Sequence, residues 1–186
     1  MDMWSVPTSL EIGGVFWKIR TDYRAILDIL MAINSTEYED DEKFYIFMDI
    51  LFEDFEHMPQ ELWEEAYKAG VKFIDMNEED DSVKRPKLMD WEQDATLIVP
   101  AVNKVIGKEV RAVEYMHWWT FMSAYMEIGE SSFATVLSIR KKKKEGKKLE
   151  KWEQEFYREN KSVIDLKRKL SEEEREEKQR LIDKFG

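Results

Sequence analysis

The sequence predicts a mainly α protein: a multi-helix globular bundle with a small N-terminal β-hairpin and a charged C-terminal helical extension. Three observations predict it. Apolar residues recur at helical spacing between Thr21 and Arg140. A Gly13-Gly14 pair separates two short β-prone runs near the start. Beyond Arg140 the chain becomes charged and poor in aliphatic residues.

The hairpin joins Leu10-Glu11-Ile12 to Val15-Phe16-Trp17-Lys18-Ile19. Two glycines supply the positive φ angles of a two-residue turn, and so small a sheet must pack on helices to persist. Thr21 is positioned to cap a helix reaching Ile33, with Ile26, Leu27, Leu30 and Ile33 as its stripe. A second helix is expected from Glu42 to Phe55, dense in aromatics, and a third from Pro59 to Ile74 with proline in its first turn. Asn77 to Met89 reads as an acidic-then-basic surface loop. Asp90 and Gln93 resemble a capping box for a fourth helix, which Pro100 should kink or divide and Gly107 should end.

The run from Val113 to Ile128 is nearly uncharged, broken only by Glu114 and Glu127, and is expected to be one helix enclosed on all sides. Trp118 and Trp119 point about 100° apart on such a helix, which makes it the hub of the core. A shorter helix follows from Ser132 to Arg140. These features place an acidic helical core domain at 1–140, carrying the hairpin, and the charged extension at 141–186. Within the extension, Ser171 and Glu174 form a capping box for a last helix.

Composition narrows the function. The 186 residues are 43% hydrophobic and contain no cysteine, so a core can be buried while disulfides and thiolate metal sites are excluded. The first residues lack a signal-peptide layout, and no apolar run approaches the roughly 20 residues of a membrane span. A cytoplasmic protein without a membrane partner is expected. Residues 1–139 carry 12 Lys and Arg against 28 Asp and Glu, whereas 140–186 carry 17 against 12. So acidic a body repels phosphate backbones, which argues against a nucleic-acid partner and leaves Lys141–Lys144 as a solvated helix end or loop.

Chemistry is sparse. Asp54/His57 and Glu114/His117 have the i, i+3 spacing found in di-iron bundles. The first pair has Asp for Glu and ends near Pro59, so His117 is read as a hydrogen-bonded core residue and His57 as exposed. No glycine-rich phosphate loop or nucleophile elbow occurs. No catalytic, cofactor-binding or metal residues are assigned. What stands out is ten Met, ten Phe, seven Trp and seven Tyr. Most should fill the core, while Trp152 and Phe156, four residues apart on the extension, would share a face open to a partner.

Several strings resemble the bacteriophage Gp15 family of tail-region proteins. The hairpin runs into Trp17-Lys18-Ile19-Arg20-Thr21-Asp22-Tyr23-Arg24, similar to the family's opening. Gln93-Asp94-Ala95 is similar to its central Asp-containing helix. His117-Trp118-Trp119-Thr120-Phe121 resembles its most distinctive string, and Ile139-Arg140 the ending before its basic tail. Gly107-Lys108-Glu109-Val110 departs from the Gly-Ile-Asp-Leu-like turn of the family. The resemblance covers about residues 10 to 145.

It implies no catalytic residues and no cofactor. It implies a tail assembly chaperone in the host bacterial cytoplasm, with the tape measure protein as partner, tail-tube protein as a further one, and self-association left open. His117, Trp118, Trp119 and Phe121 are then core signature residues, and Arg140, Lys141, Lys142, Trp152 and Phe156 the expected partner contacts. The alternatives are a minor tail or head–tail protein retained in the virion and, more remotely, a carboxylate-bridged metalloenzyme on Glu114 and His117.

Overall fold

A computed structural model describes residues 4–76 and 87–167, together with Glu174, Arg180 and Asp183. The capping box expected at Ser171 lies outside the described residues. The protein is mainly α with one two-stranded antiparallel hairpin, as the sequence predicts. It divides into two compact units, one built on Pro7–Ile74 and the other on Asp75–Lys167. The boundary expected at 140/141 falls within a continuous helix, Ser132–Lys144.

In the unit Pro7–Ile74, β1 (Ser9–Ile12) pairs with β2 (Val15–Lys18), and Ile12 faces Val15 across the turn. Gly13 and Gly14 both have positive φ, +59° and +76°, as a tight two-residue turn requires. A Cβ at Gly13 would lie 2.8 Å from Leu62 Cδ2, and the end of that leucine would have to give way to it. Leu10 and Ile12 are buried, while Val15 and Phe16 face outward.

Helix α1 (Tyr23–Ile33) starts one residue later than expected, because the Asp22 carboxylate accepts the Arg24 amide and makes Asp22 the cap. Its buried stripe is Tyr23, Ile26 and Ile29, and Ile33 is exposed rather than part of it. Helix α2 (Asp40–Leu51) opens with a Glu39/Glu42 capping box and buries Phe47, Met48 and Leu51. It stops well short of Phe55. Phe52 turns extended to bridge Ile19, and Arg20 Nη1 donates to the carbonyls of Asp49, Ile50 and Phe52, closing the end of α2. Two 3₁₀ turns, Phe55–His57 and Gln60–Leu62, then lead to α3 (Trp63–Ile74), so Pro59 precedes a 3₁₀ turn rather than opening an α-helix.

In the other unit, α4 (Ala95–Ile106) begins after Asp94 rather than at Asp90. Asp90 instead holds a turn: its Oδ1 accepts the amides of Glu92 and Gln93, and its own amide donates to Asp94 Oδ2. Pro100 does not divide α4. The carbonyl it leaves without an N–H belongs to Thr96, and both residues lie on the exposed face, where water can serve that oxygen. Gly107 ends the helix as expected, with φ +71°.

The run Val113–Ile128 is not one helix. Val113 is extended and His117 is not helical (φ −59°, ψ 140°), and α5 covers only Trp118–Met126, with the His117 ring as its N-cap. Nor is α5 enclosed all round: Trp118, Phe121 and Ala124 are buried, and Met126 is 53% exposed. Helix α6 (Ser132–Lys144) is capped by Ser131 Oγ and runs past Arg140. It is followed by α7 (Lys151–Glu159), which opens with a Glu150/Glu153 capping box, and α8 (Lys161–Ile164). These last helices add to a packed core. Val136, Ile139 and Ile164 form its buried centre, with Leu97, Leu149, Phe156 and Tyr157 packed against it.

Candidate functional site

Two of the family-like strings, Gln93-Asp94-Ala95 and Ile139-Arg140, meet in one buried feature of the unit Asp75–Lys167. Asp94, just before α4, and Arg140, near the end of α6, form a bidentate ion pair: Nη1 to Oδ2 at 2.7 Å and Nη2 to Oδ1 at 2.8 Å. Asp94 is 1% exposed and Arg140 5%. Charges taken so far from water are tolerated only when every polar atom is answered.

Every guanidinium hydrogen is answered. Nε donates to Ile164 O at 2.6 Å, Nη1 also to Leu88 O at 2.9 Å, and Nη2 also to Val163 O at 2.8 Å. With the two bonds to Asp94, all five N–H donors are used. One side chain thus ties the approach to α4, α6 and α8 together. A second clasp reinforces it: Gln93 Nε2 donates to Lys167 O at 3.0 Å, and Lys167 N donates to Gln93 Oε1 at 2.8 Å. Chemically this is a brace. A guanidinium does not give up its proton in a protein, and both Asp94 oxygens are engaged.

Beside the brace sits the indole cluster. Trp118 stacks on Phe121 with centroids 5.8 Å apart, and Trp91 contacts Trp118, Phe121 and Tyr125. Burial, and then the nearby Asp94 carboxylate, raise the Tyr125 pKa. His117 is buried, and its Nδ1 accepts the Trp119 amide at 3.0 Å. Trp119 is half-buried with its ring edge-on to His117. His57 and Glu114 are exposed. Among the described residues, no three His, Cys, Asp or Glu side chains gather closely enough to hold a metal ion.

The residues expected at a partner surface are divided. Arg140 is turned inward to Asp94, because helix α6 does not end there and its side chain meets α4 rather than solvent. Phe156 packs against the core of Val136, Ile139 and Ile164. Lys142 donates to buried Glu153 at 2.7 Å, while Lys141 is exposed. That bond, with the Glu150 amide, lowers the Glu153 pKa. Lys143 lies 3.7 Å over the Tyr157 ring and donates to Asp165, so the two middle lysines of the run are bonded to their own chain. Trp152 is 54% exposed, as its placement on the extension predicts.

Two members of this site are illegible as such in the sequence. Trp91 is a lone indole in a charged stretch, with no periodic neighbours to mark it as core. The pairing of Asp94 with Arg140 spans 46 positions. The only hint of it is that both belong to the short strings similar to one family.

The family described as Bacteriophage Gp15 protein matches residues 3–166. The chain belongs to this family, and it is a phage protein. No curated protein matches it. No solved structure matches it either. Among the described residues, no helix is long and apolar enough to cross a membrane.

Proposed function

We propose that this chain is a non-enzymatic tail assembly chaperone acting in the host cytoplasm. It binds the tape measure protein while the tail is built, keeps that long helical client dispersed, and assists tail-tube subunits to polymerise around it. Membership of the Gp15 family across residues 3–166 is the observation that carries the reading. Its support in the molecule is a division of labour. Family-like residues such as Asp94, Arg140, His117, Trp118 and Phe121 are spent on an internal brace and an indole core, whereas large apolar side chains such as Phe16, Tyr45, Tyr115 and Trp152 stay at least half exposed. A net charge of −11 keeps such a surface from associating with copies of itself while it masks apolar stripes on a client.

Co-expression with the tape measure protein of the same phage tests this. The client should move from the pellet to the soluble fraction when this chain is present. Equal solubility in its absence overturns the reading. Mass spectrometry of purified virions adds a second check: a chaperone is missing from them, and a fixed copy number per particle would make the protein a tail component instead.

A further inference from the structure

The unit Pro7–Ile74 carries an aromatic surface that its own core does not need. Tyr45 on α2 is 50% exposed. Its ring meets Phe44 at 5.8 Å, Trp63 at 5.7 Å and Phe55 at 6.4 Å, and Trp63 also meets Phe44 and Phe55. None of these four rings is buried, although Phe47, Met48, Leu51 and Phe52 from the same stretch are. Connected rings left open to water are the composition of a recognition surface.

The charge around this ridge states what it fits. Asp41 and Asp49 stand one turn before and one turn after Tyr45 on α2, and all three are exposed. Residues at i, i+4 and i+8 line one helix face, so a carboxylate flanks the exposed ring on each side. Residues 7–74 carry 15 acidic against 6 basic side chains. Among their bases, Arg20 closes α2, Arg24 pairs with Asp22, Lys43 with Asp40 and Lys68 with Glu64. An electron-rich ring face between carboxylates attracts a cation twice over, by its quadrupole and by Coulomb attraction.

We propose that this ridge docks a basic amphipathic helix of a partner protein, its apolar side chains on Phe55 and Trp63 and its Lys or Arg side chains over Tyr45 and against Asp41 and Asp49. Eight residues of α2 separate the two carboxylates, about 12 Å along the axis. A partner helix lying along α2 therefore presents cations about two turns apart. This surface rests on the client-binding reading for its helical partner, and it differs from the Trp152 face in charge: acidic here, mixed there.

The test uses the full chain and two synthetic helical peptides, one repeating Leu and Lys at amphipathic spacing, the other with Glu for every Lys. Fluorescence anisotropy of labelled peptide should show the Lys peptide binding at least about tenfold more tightly, weakening as salt is raised. Tyr45→Ser, and separately Asp41→Asn with Asp49→Asn, should each reduce that affinity about tenfold, with circular dichroism unchanged. Equal binding of both peptides, binding of neither, or unaltered affinity in the two variants overturns the proposal. A concentration-dependent dimer in sedimentation that Tyr45→Ser abolishes also overturns it, in favour of a second copy on the ridge. Co-expression separates this from the chaperone reading. A client solubilised equally by wild type and Tyr45→Ser leaves the chaperone intact and removes the ridge. Loss of peptide affinity in the variants, beside a client that wild type fails to solubilise, does the reverse.

Discussion

The two units bury different kinds of side chain. In the unit Pro7–Ile74 the buried residues are apolar except Thr21, whereas the unit Asp75–Lys167 buries Asp90, Asp94, His117, Arg140 and Glu153. The first is specified by pattern: apolar stripes on α1, α2 and α3 close on one another, and any well-shaped apolar set would fold similarly. The second is specified by bonds, because each buried polar atom must meet its partner or cost its full desolvation. A pattern tolerates substitution and a bonded network does not. The units should therefore fail in different ways.

Breaking the brace gives the largest expected effect. Asp94→Ala leaves a buried guanidinium with two of its donors unanswered, and should lower stability by about 3–5 kcal/mol in urea unfolding. Arg140→Lys should rescue little, since three ammonium donors cannot reach Asp94, Leu88, Val163 and Ile164 together. The double change Asp94→Leu with Arg140→Met sharpens the comparison. It should cost less than the sum of its parts, because no lone charge remains buried, yet it should not restore wild-type stability, because three carbonyls lose their donor. Additive losses would mean that the two side chains act independently.

The apolar unit is broken by volume instead. A Cβ added at Gly70 in α3 would lie 2.5 Å from Leu51 Cδ2 and 2.8 Å from the Phe47 ring, both within its core. Glycine is a poor helix former, so Gly70→Ala gains up to about 1 kcal/mol in propensity. Overpacking at these distances costs about 1–3 kcal/mol, and net destabilisation by urea is the expected outcome. A stabilised variant would show that this core yields more easily than its packing implies.

A smaller effect belongs to the indole helix. His117→Ala removes the acceptor for the Trp119 amide and should cost about 1 kcal/mol beyond the loss of ring packing. His117→Asn, which keeps a capping oxygen, should recover part of it in the same unfolding measurement.

The same contrast explains what the sequence discloses. The hairpin is legible because Gly13-Gly14 between β-prone residues admits few other readings, and Gly107 marks a helix end through its backbone alone. The ends of α2 and α4 are misread because distant residues set them: Ile19 and Arg20 stop α2 at Leu51, and Arg140 draws Asp94 out of the helix that Asp90 would otherwise start. Nothing local marks these partners. The uncharged run before Trp118 suggests a longer helix than exists, since hydrophobicity alone does not reveal that His117 serves as a cap. For the candidate site, the string His117-Trp118-Trp119 is conspicuous, while Trp91 and the Asp94–Arg140 pairing emerge only in three dimensions.

The smallest effect separates the outer ion pairs from the brace, and it depends on pH. Lys142 donating to the buried Glu153 carboxylate, helped by the Glu150 amide, lowers the Glu153 pKa below its ordinary value. At Asp165 burial acts in the opposite direction, but bonds from Lys143 and Tyr157 outweigh it and the pKa is lowered there too. A carboxylate whose folded pKa is depressed binds fewer protons in the native state than in the unfolded one. Its contribution is therefore complete above the usual carboxylate range and fades as pH falls through the lowered folded value. Glu153→Gln should accordingly be less stable than wild type at neutral pH, and the two should converge in acid when urea midpoints are compared across that range. Because Glu153 opens α7 and Asp165 follows α8, acid should first loosen these last helices from α6. Hydrogen exchange of the α7 amides would register that before the indole core responds. Simultaneous loss of protection in both would show that the charged helices and the core open as one piece.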